Sequence, residues 1–289
     1  MRAKTVACPD VLTDEVRRRC AQIAASARHV TIDRHASIAL GGKAGLDTQL
    51  HFLEGTREEV ARYIFILDAI NFGSGWFSEL GVTTDSLTER LTAHARSHGP
   101  WSPAQLRALD PAAVASTLAL PAGSTLAELY ANGLNQLGEW FGDEPATALI
   151  GNRAEDLARR LTAMPYFDDV GFYKRAQITA NDLHLAGVAD FADIDRLTIF
   201  ADNLVPHVLR LDGVLHYSDA LAEAVDSGTE LEAGGAFERE VRACAVHACA
   251  ALAQRAGVPE RTLDNRLWNR GQRPPYSTTA AHVTRTVFY

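Results

Sequence analysis

The sequence predicts a mainly α-helical protein with a small β appendage near the N-terminus. Helix-start signatures recur at Thr56-Arg57-Glu58-Glu59, Ser102-Pro103-Ala104-Gln105 and Thr125-Leu126-Ala127-Glu128. In each, a hydroxyl side chain and a Glu or Gln three residues later satisfy each other's unpaired backbone N–H groups. Apolar residues downstream keep helical spacing, as in Leu126, Leu129, Tyr130, Gly133, Leu134, Leu137 and Phe141. Alternating, β-branched patterns are confined to HVTIDRHASIAL (29–40) and LDTQLHFLEG (46–55), with Gly41-Gly42 marking a turn between them.

In chain order, an Arg- and Ala-rich helix is expected over 14–27. After the two extended segments, the Thr56 signature opens a helix to about residue 71. Val60, Tyr63, Ile64, Leu67 and Ile70 form its apolar stripe, which Phe65 and Ile66 widen until most faces are buried. It delivers INFGSGWFSELG, expected as a loop, where Asn71, Phe72 and Trp76 sit among glycines that let backbone approach a ligand. Aromatic rings beside an amide can hold a planar heterocycle, although a plug over the helix end is the plainer role.

Further helices are expected over 152–164, stopped by Pro165, over 173–186 and over 193–201. Others begin near Pro206, cover 218–225, and span 235–256 with Gly257 as the stop. A last helix over 262–269 sets Asp264 and Trp268 four apart on one face. The tail RPPYSTTAAHVTRTVFY reads as extended, docking through Val287, Phe288 and Tyr289 and bringing His282 and Arg285 with it. No linker or repeat divides the chain, so residues 1–289 are expected as one helical domain, with 1–55 as a small helix/β appendage.

Composition bounds the function. The 289 residues are 47% hydrophobic and 22% charged, as in ordinary globular proteins. A net charge of −8 disfavours duplex nucleic acid, whose binding rests on neutralising phosphates. The expected partner is a small molecule, with no stable nucleic acid complex and no membrane. Cys8, Cys20, Cys244 and Cys249 form no CxxC pair and read as reduced thiols. His94 and His98 share a helical face but suit a surface patch, so neither a metal nor a cofactor is expected. Phosphate-loop, nucleophile-elbow, zinc-protease and dinucleotide motifs are missing. The first residues lack an apolar signal segment, and no run of 18 apolar residues occurs, which predicts a cytoplasmic protein.

The stretch 172–220 draws the chemistry together. Asp202-Asn203 lies where one expected helix ends and the next begins, and Lys174 opens the first of the three. A helix start offers unpaired N–H groups that hold a carboxylate in place. Carried on packed helices, the cation and carboxylate can meet over a small polar site. The plain alternative is that Asp202 only caps its helix and Lys174 is only solvated, and spacing alone leaves both open.

The blocks DAINFGSGWF, YKRAQITANDLH, LTIFADNLVPHVL, LDGVLHYSDAL, LWNRG and HVTRTVFY together resemble the queuosine salvage proteins, which are queuosine 5′-phosphate N-glycosylases. The similarity runs in order from about residue 50 to the C-terminus. It implies a fold similar to helix-hairpin-helix DNA glycosylases, with Asp202 as the catalytic carboxylate and Lys174 as its lysine partner. The LPGVG hairpin of DNA glycosylases is missing here, and Asn269 stands where the family often carries acidic residues.

The implied chemistry is cleavage of a ribosyl C–N bond, which builds positive charge on the sugar. The implied substrate has a guanine-like edge, a secondary ammonium, a diol and a 5′-phosphate. Asn203, Asp264, Asn265 and Asn269 are the expected polar contacts, and Phe72, Trp76 or Trp268 the stacking rings. Asn71 and His51 border the same region. Arg285, His282 or Lys174 is the expected phosphate cation. A non-catalytic module binding a nucleobase or tRNA, and a DNA base glycosylase, are the alternatives.

Overall fold

The computed structural model describes residues 11–39 and 45–289, so the expected Gly41-Gly42 turn and Cys8 lie outside the described residues. The first helix, α1 (Leu12–Ser26), leads to β1 (Val30–Ile32). Then α2 (Arg57–Ala69) opens on the expected cap: Glu59 N donates to Thr56 Oγ1, and Thr56 N donates to the Glu59 carboxylate at 2.8 Å. Four short to medium helices follow, α3 (Ser74–Leu80), α4 (Thr84–His98), α5 (Pro103–Ala108) and α6 (Pro111–Leu118). The Ser102 box at the start of α5 is present, with Pro103 in the first turn.

Next come α7 (Thr125–Phe141), α8 (Ala154–Leu161), α9 (Lys174–Leu185) and α10 (Leu204–Leu211). The chain finishes with β2 (Leu215–Tyr217), α11 (Asp219–Asp226), α12 (Ala236–Ala256) and α13 (Glu260–Gly271). Gly257, at φ 64°, ends α12 in the left-handed conformation that glycine adopts without strain.

Five expectations need correction. Residues 74–80 are helical, not a loop: Gly73 at φ 96° turns the chain and α3 starts directly after it. The cap of α7 is Ser124, whose side chain accepts from Ala127 N, one residue before the expected Thr125. Residues 46–55 form turns instead of a strand, with Leu50 N and His51 N donating to Asp47 O. Residues 193–201 hold only a single turn over Ile194–Arg196, after which the chain is extended. The β element is also not built from N-terminal residues alone. β1 pairs antiparallel with β2, Val30 opposite Tyr217 and Ile32 opposite Leu215.

Burial follows the apolar stripes. Tyr63, Ile64, Phe65 and Ile66 of α2 are all within 1% of full burial, as the widened stripe predicts. α1 packs along α12, and its Leu12, Val16 and Cys20 join the same buried cluster that reaches Leu267 on α13. α2 packs on α7 and α9, while α10 packs on α12 and α13. This arrangement brings four pieces to one place: the end of α2, the start of α9, the extended segment 197–203 and α13.

Buried arginine fixes one of those junctions. Arg175 donates to the carbonyls of Asp68 (3.3 Å) and Ala69 (2.7 Å), and also to Tyr166 O. A helix leaves its last carbonyls unpaired at a partly negative end, so a guanidinium there answers both hydrogen bonding and charge. The rings of Phe72 and Phe167 lie against the same guanidinium at 4.7 and 4.6 Å. Arg175 thereby locks the C-terminus of α2 to the first turn of α9. No helix of the described residues is long and apolar enough to cross a membrane.

Candidate active site

Lys174 begins α9 directly after Tyr173, which is held in the left-handed region at φ 50°. For a residue with a Cβ this conformation costs about 1–2 kcal/mol, so surrounding contacts must impose it. The result turns Lys174 inward, where it is 3% exposed. Its Nζ donates to Asn71 O at 3.1 Å and Asn71 Oδ1 at 3.0 Å. The glycine-flanked residue expected near a ligand is thus the direct partner of the lysine. Burial pushes the Lys174 amine below its usual range, and the charges of Asp202, Asp68 and Asp264 oppose that fall.

Asp202 is 8% exposed and stands just before α10. Its Oδ1 accepts from Leu204 N at 2.8 Å and Val205 N at 3.1 Å, which fixes the carboxylate by the unpaired donors of the helix start. Oδ2 is left without a partner among the described residues. Asp202 and Lys174 do not form a close ion pair, but their charges act on each other.

The segment leading to Asp202 is buried yet pairs with no strand. Side chains from three helices serve its backbone instead. Gln177 Oε1 accepts from Thr198 N at 3.0 Å, Asp264 Oδ1 accepts from Phe200 N at 2.8 Å, and Arg242 Nε donates to Ala201 O at 2.9 Å. A buried backbone must find partners for its N–H and C=O groups, and here side chains of those helices supply three of them.

Three further carboxyls complete the cluster. Asp264 on α13 is 3% exposed, and burial with the Asp202 charge raises it from 3.8 to about 8. Asp182 on α9 is raised to about 7, chiefly by burial. Asp68, near the end of α2, is pushed well up by burial and by Asp182, and its Oδ2 has no hydrogen-bond partner among the described residues. Asp68 and Asp182 were missed in the sequence. Asp68 interrupts the apolar run Phe65-Ile66-Leu67, and a lone carboxyl on a helix buried on most sides is the signal that points to it.

Raised carboxyls have a consequence for stability. Asp264 binds its proton more tightly folded than unfolded, so its contribution is fully present below about pH 4 and is lost as pH rises through about 8. Asp264→Asn keeps an oxygen for Phe200 N and has no proton to lose. Melting temperature followed from pH 5 to 9 should therefore fall less steeply in Asp264→Asn than in the wild type. Parallel curves would place the titration elsewhere.

The other expected contacts divide. Asn203 follows Asp202 directly, and Asn265, Trp268 and Asn269 share α13 with Asp264. Asn265 Oδ1 is buried without a partner, while Asn269 Nδ2 donates to Asn265 O at 2.8 Å within the helix. Trp268 and Trp76 are half-buried against the core. The Phe72 ring is enclosed by Tyr130 at 5.0 Å, Tyr166 at 5.9 Å and Arg175. His51 lies apart from the cluster: its Nδ1 is 2.9 Å from Asp47 O, and the nearby charges are Asp47 and Asp85.

The tail docks as expected, with Tyr289 buried and Gly73 N donating to Tyr289 O at 3.0 Å. Gly75 permits this approach, because a Cβ there would sit 2.4 Å from Thr284 O. His282 is buried, and burial drives its imidazole down to about 3, so it enters as a neutral ring. Arg285 stays outside: its side chain is 43% exposed and pairs with Glu79 at 2.7 Å and Glu230 at 3.6 Å. Concavities of about 470 Å³ beside Arg153 and Arg196, and about 370 Å³ beside Trp140 and Pro165, are lined by none of Asp68, Lys174, Asp182, Asp202 and Asp264. The perturbed acids and the buried lysine, not surface volume, make this cluster the candidate site.

These features define an α-helical protein with a buried cluster of carboxyls around a lysine. Residues 136–289 match the family model described as queuosine salvage protein. A Sphaerobacter thermophilus protein named queuosine 5′-phosphate N-glycosylase/hydrolase is 33% identical over 83% of this chain and 84% of its own. Proteins of the same name from Dictyostelium discoideum and Mus musculus are 36% and 32% identical, each over 42% of this chain, and over 40% and 41% of their own. The chain belongs to the queuosine salvage protein family.

Proposed function

We propose that the protein hydrolyses the N-glycosidic bond of queuosine 5′-phosphate and releases queuine, with Asp202 as the catalytic carboxylate and Lys174 as its cationic partner. The observation that carries this is a carboxylate fixed by two backbone donors, with one oxygen unpartnered, in electrostatic reach of a buried lysine. The name shared by the relatives supports the substrate.

In this mechanism the ribosyl C–N bond breaks with its electron pair passing to the base, leaving an oxocarbenium-like sugar. The Asp202 carboxylate stabilises that charge and takes a proton as water adds to the anomeric carbon. That proton then passes to the departed base anion, which leaves as neutral queuine, and the carboxylate is restored. A 7-deazapurine has no nitrogen at ring position 7 to protonate, so the departing base relies on hydrogen bonds at its other edges. Asp264, held at about 8, stays mostly protonated at neutral pH and adds an O–H instead of a second negative charge beside Asp202.

Asn203, Asn265, Asn269 and Asn71 are the proposed polar contacts. With the Phe72 faces occupied by core neighbours, Trp76 and Trp268 are the proposed stacking rings. The scaffold is proposed to be of the helix-hairpin-helix glycosylase kind, a single helical domain acting on a free nucleotide in the cytoplasm. Incubation of the purified protein with queuosine 5′-phosphate, followed by mass spectrometry, should yield queuine and ribose 5-phosphate. Unchanged substrate would refute the assignment. Equal efficiency on queuosine lacking the phosphate would mean that the protein does not use the phosphate for recognition.

A further inference from the structure

Arg242 lies in the middle of the Ala-rich helix α12, in the run Val241-Arg242-Ala243-Cys244-Ala245-Val246. It is 2% exposed, and every nitrogen of its guanidinium donates a hydrogen bond. Nε donates to Ala201 O at 2.9 Å, the residue immediately before Asp202. Nη1 and Nη2 donate to the two carboxylate oxygens of Asp169, and Nη1 also reaches Glu238 Oε1 at 3.1 Å. Asp169 Oδ2 in turn accepts from Lys174 N at 3.4 Å, and Asp169 O accepts from Tyr173 N at 2.7 Å. The guanidinium plane is sandwiched by Phe172 at 3.9 Å and Tyr289 at 4.4 Å.

We propose that Arg242 is a positioning residue that sets the Asp202 carboxylate, the Lys174 amine and the Asn71 loop in one geometry. One arm holds the backbone ahead of Asp202. The second, through Asp169, holds the left-handed turn that aims Lys174 inward. The third is the Tyr289 ring, whose carbonyl accepts from Gly73 N two residues after Asn71, the lysine's acceptor. These three segments are far apart in sequence, and a planar fork with five donors can join them where a single ammonium cannot. Arg242 touches no reacting atom in this scheme; it acts through its neighbours. Displacement of a catalytic group by about 1 Å can cost about a hundredfold in rate, so a rigid link of this kind bears on turnover more than on substrate affinity.

The inference rests on the function proposed above, and the test separates the two. Arg242→Lys keeps the charge and loses the fork; Leu106→Ala, a core truncation on α5, serves as a control for general destabilisation. Kinetics per folded molecule should show kcat of Arg242→Lys reduced tenfold or more with KM within about twofold, while Leu106→Ala retains wild-type kcat. Equal kcat in the two variants would overturn the positioning role. A wild-type protein inactive on queuosine 5′-phosphate would instead refute the function. In that case crystal structures decide the positioning: Asp202 and Lys174 should shift in Arg242→Lys and not in Leu106→Ala, and an unmoved pair overturns it. If Arg242→Lys folds too poorly for kinetics, the same comparison decides: a shifted pair supports the positioning role and an unmoved pair overturns it.

Discussion

Asp202→Asn is expected to lower turnover of queuosine 5′-phosphate by a hundredfold or more while leaving the melting temperature close to wild type. The two effects separate because the side chain has two tasks. Its Oδ1 accepts from Leu204 N and Val205 N, and an Asn carbonyl can accept from both. At a helix start Asn and Asp are nearly equivalent, so the fold loses little. Charge and basicity are what the substitution removes. Loss of one well-placed electrostatic group costs about a hundred- to a thousandfold in rate, and here the same group also receives the proton of the attacking water. A variant with full activity and full stability would show that Asp202 is a helix cap and nothing more.

Lys174→Met is expected to cost both stability and turnover, with a signature in pH. Removing a buried donor leaves its acceptors unsatisfied, a loss of about 1–3 kcal/mol. Asn71 O and Oδ1 lose their donor at the same time. Lys174 lowers the pKa of both Asp264 and Asp182, which stand at about 8 and about 7 in its presence. Without it both rise further above their unfolded values. Stability that depends on their protons is retained at low pH and lost as pH climbs through the folded pKa, and a larger shift means a larger total loss. The gap in melting temperature between variant and wild type should therefore widen from pH 6 to 9. A constant gap would mean that the lysine and the buried acids do not interact. Turnover should fall at least tenfold across the range, since the amine and Asp202 no longer balance one another.

Helix starts and stops were legible in the sequence because they depend on neighbours in the chain. The reciprocal hydrogen bonds of Thr56 with Glu59 and of Ser102 with Gln105 close within three residues, and Gly257 ends α12 by its own backbone freedom. The apolar stripe of α2 likewise announced its burial. Asp202 and Lys174 stood out by their positions at helix starts, and Asn71 by its glycine-rich surroundings, although nothing local paired it with the lysine.

The tertiary structure alone decided the conformation of residues 197–201. Their apolar run suits a helix as readily as a strand, and the outcome was set by Gln177, Asp264 and Arg242, which serve the backbone of an extended chain. It also decided which polar groups share the site. Asp68, Asp182 and Arg242 look like ordinary members of their own helices, and only packing places the first two beside Lys174 and the third behind Asp202. Local hydrogen bonds write helix boundaries into short stretches of sequence. The electrostatics of a buried cluster depend instead on distances between helices, which no single stretch contains.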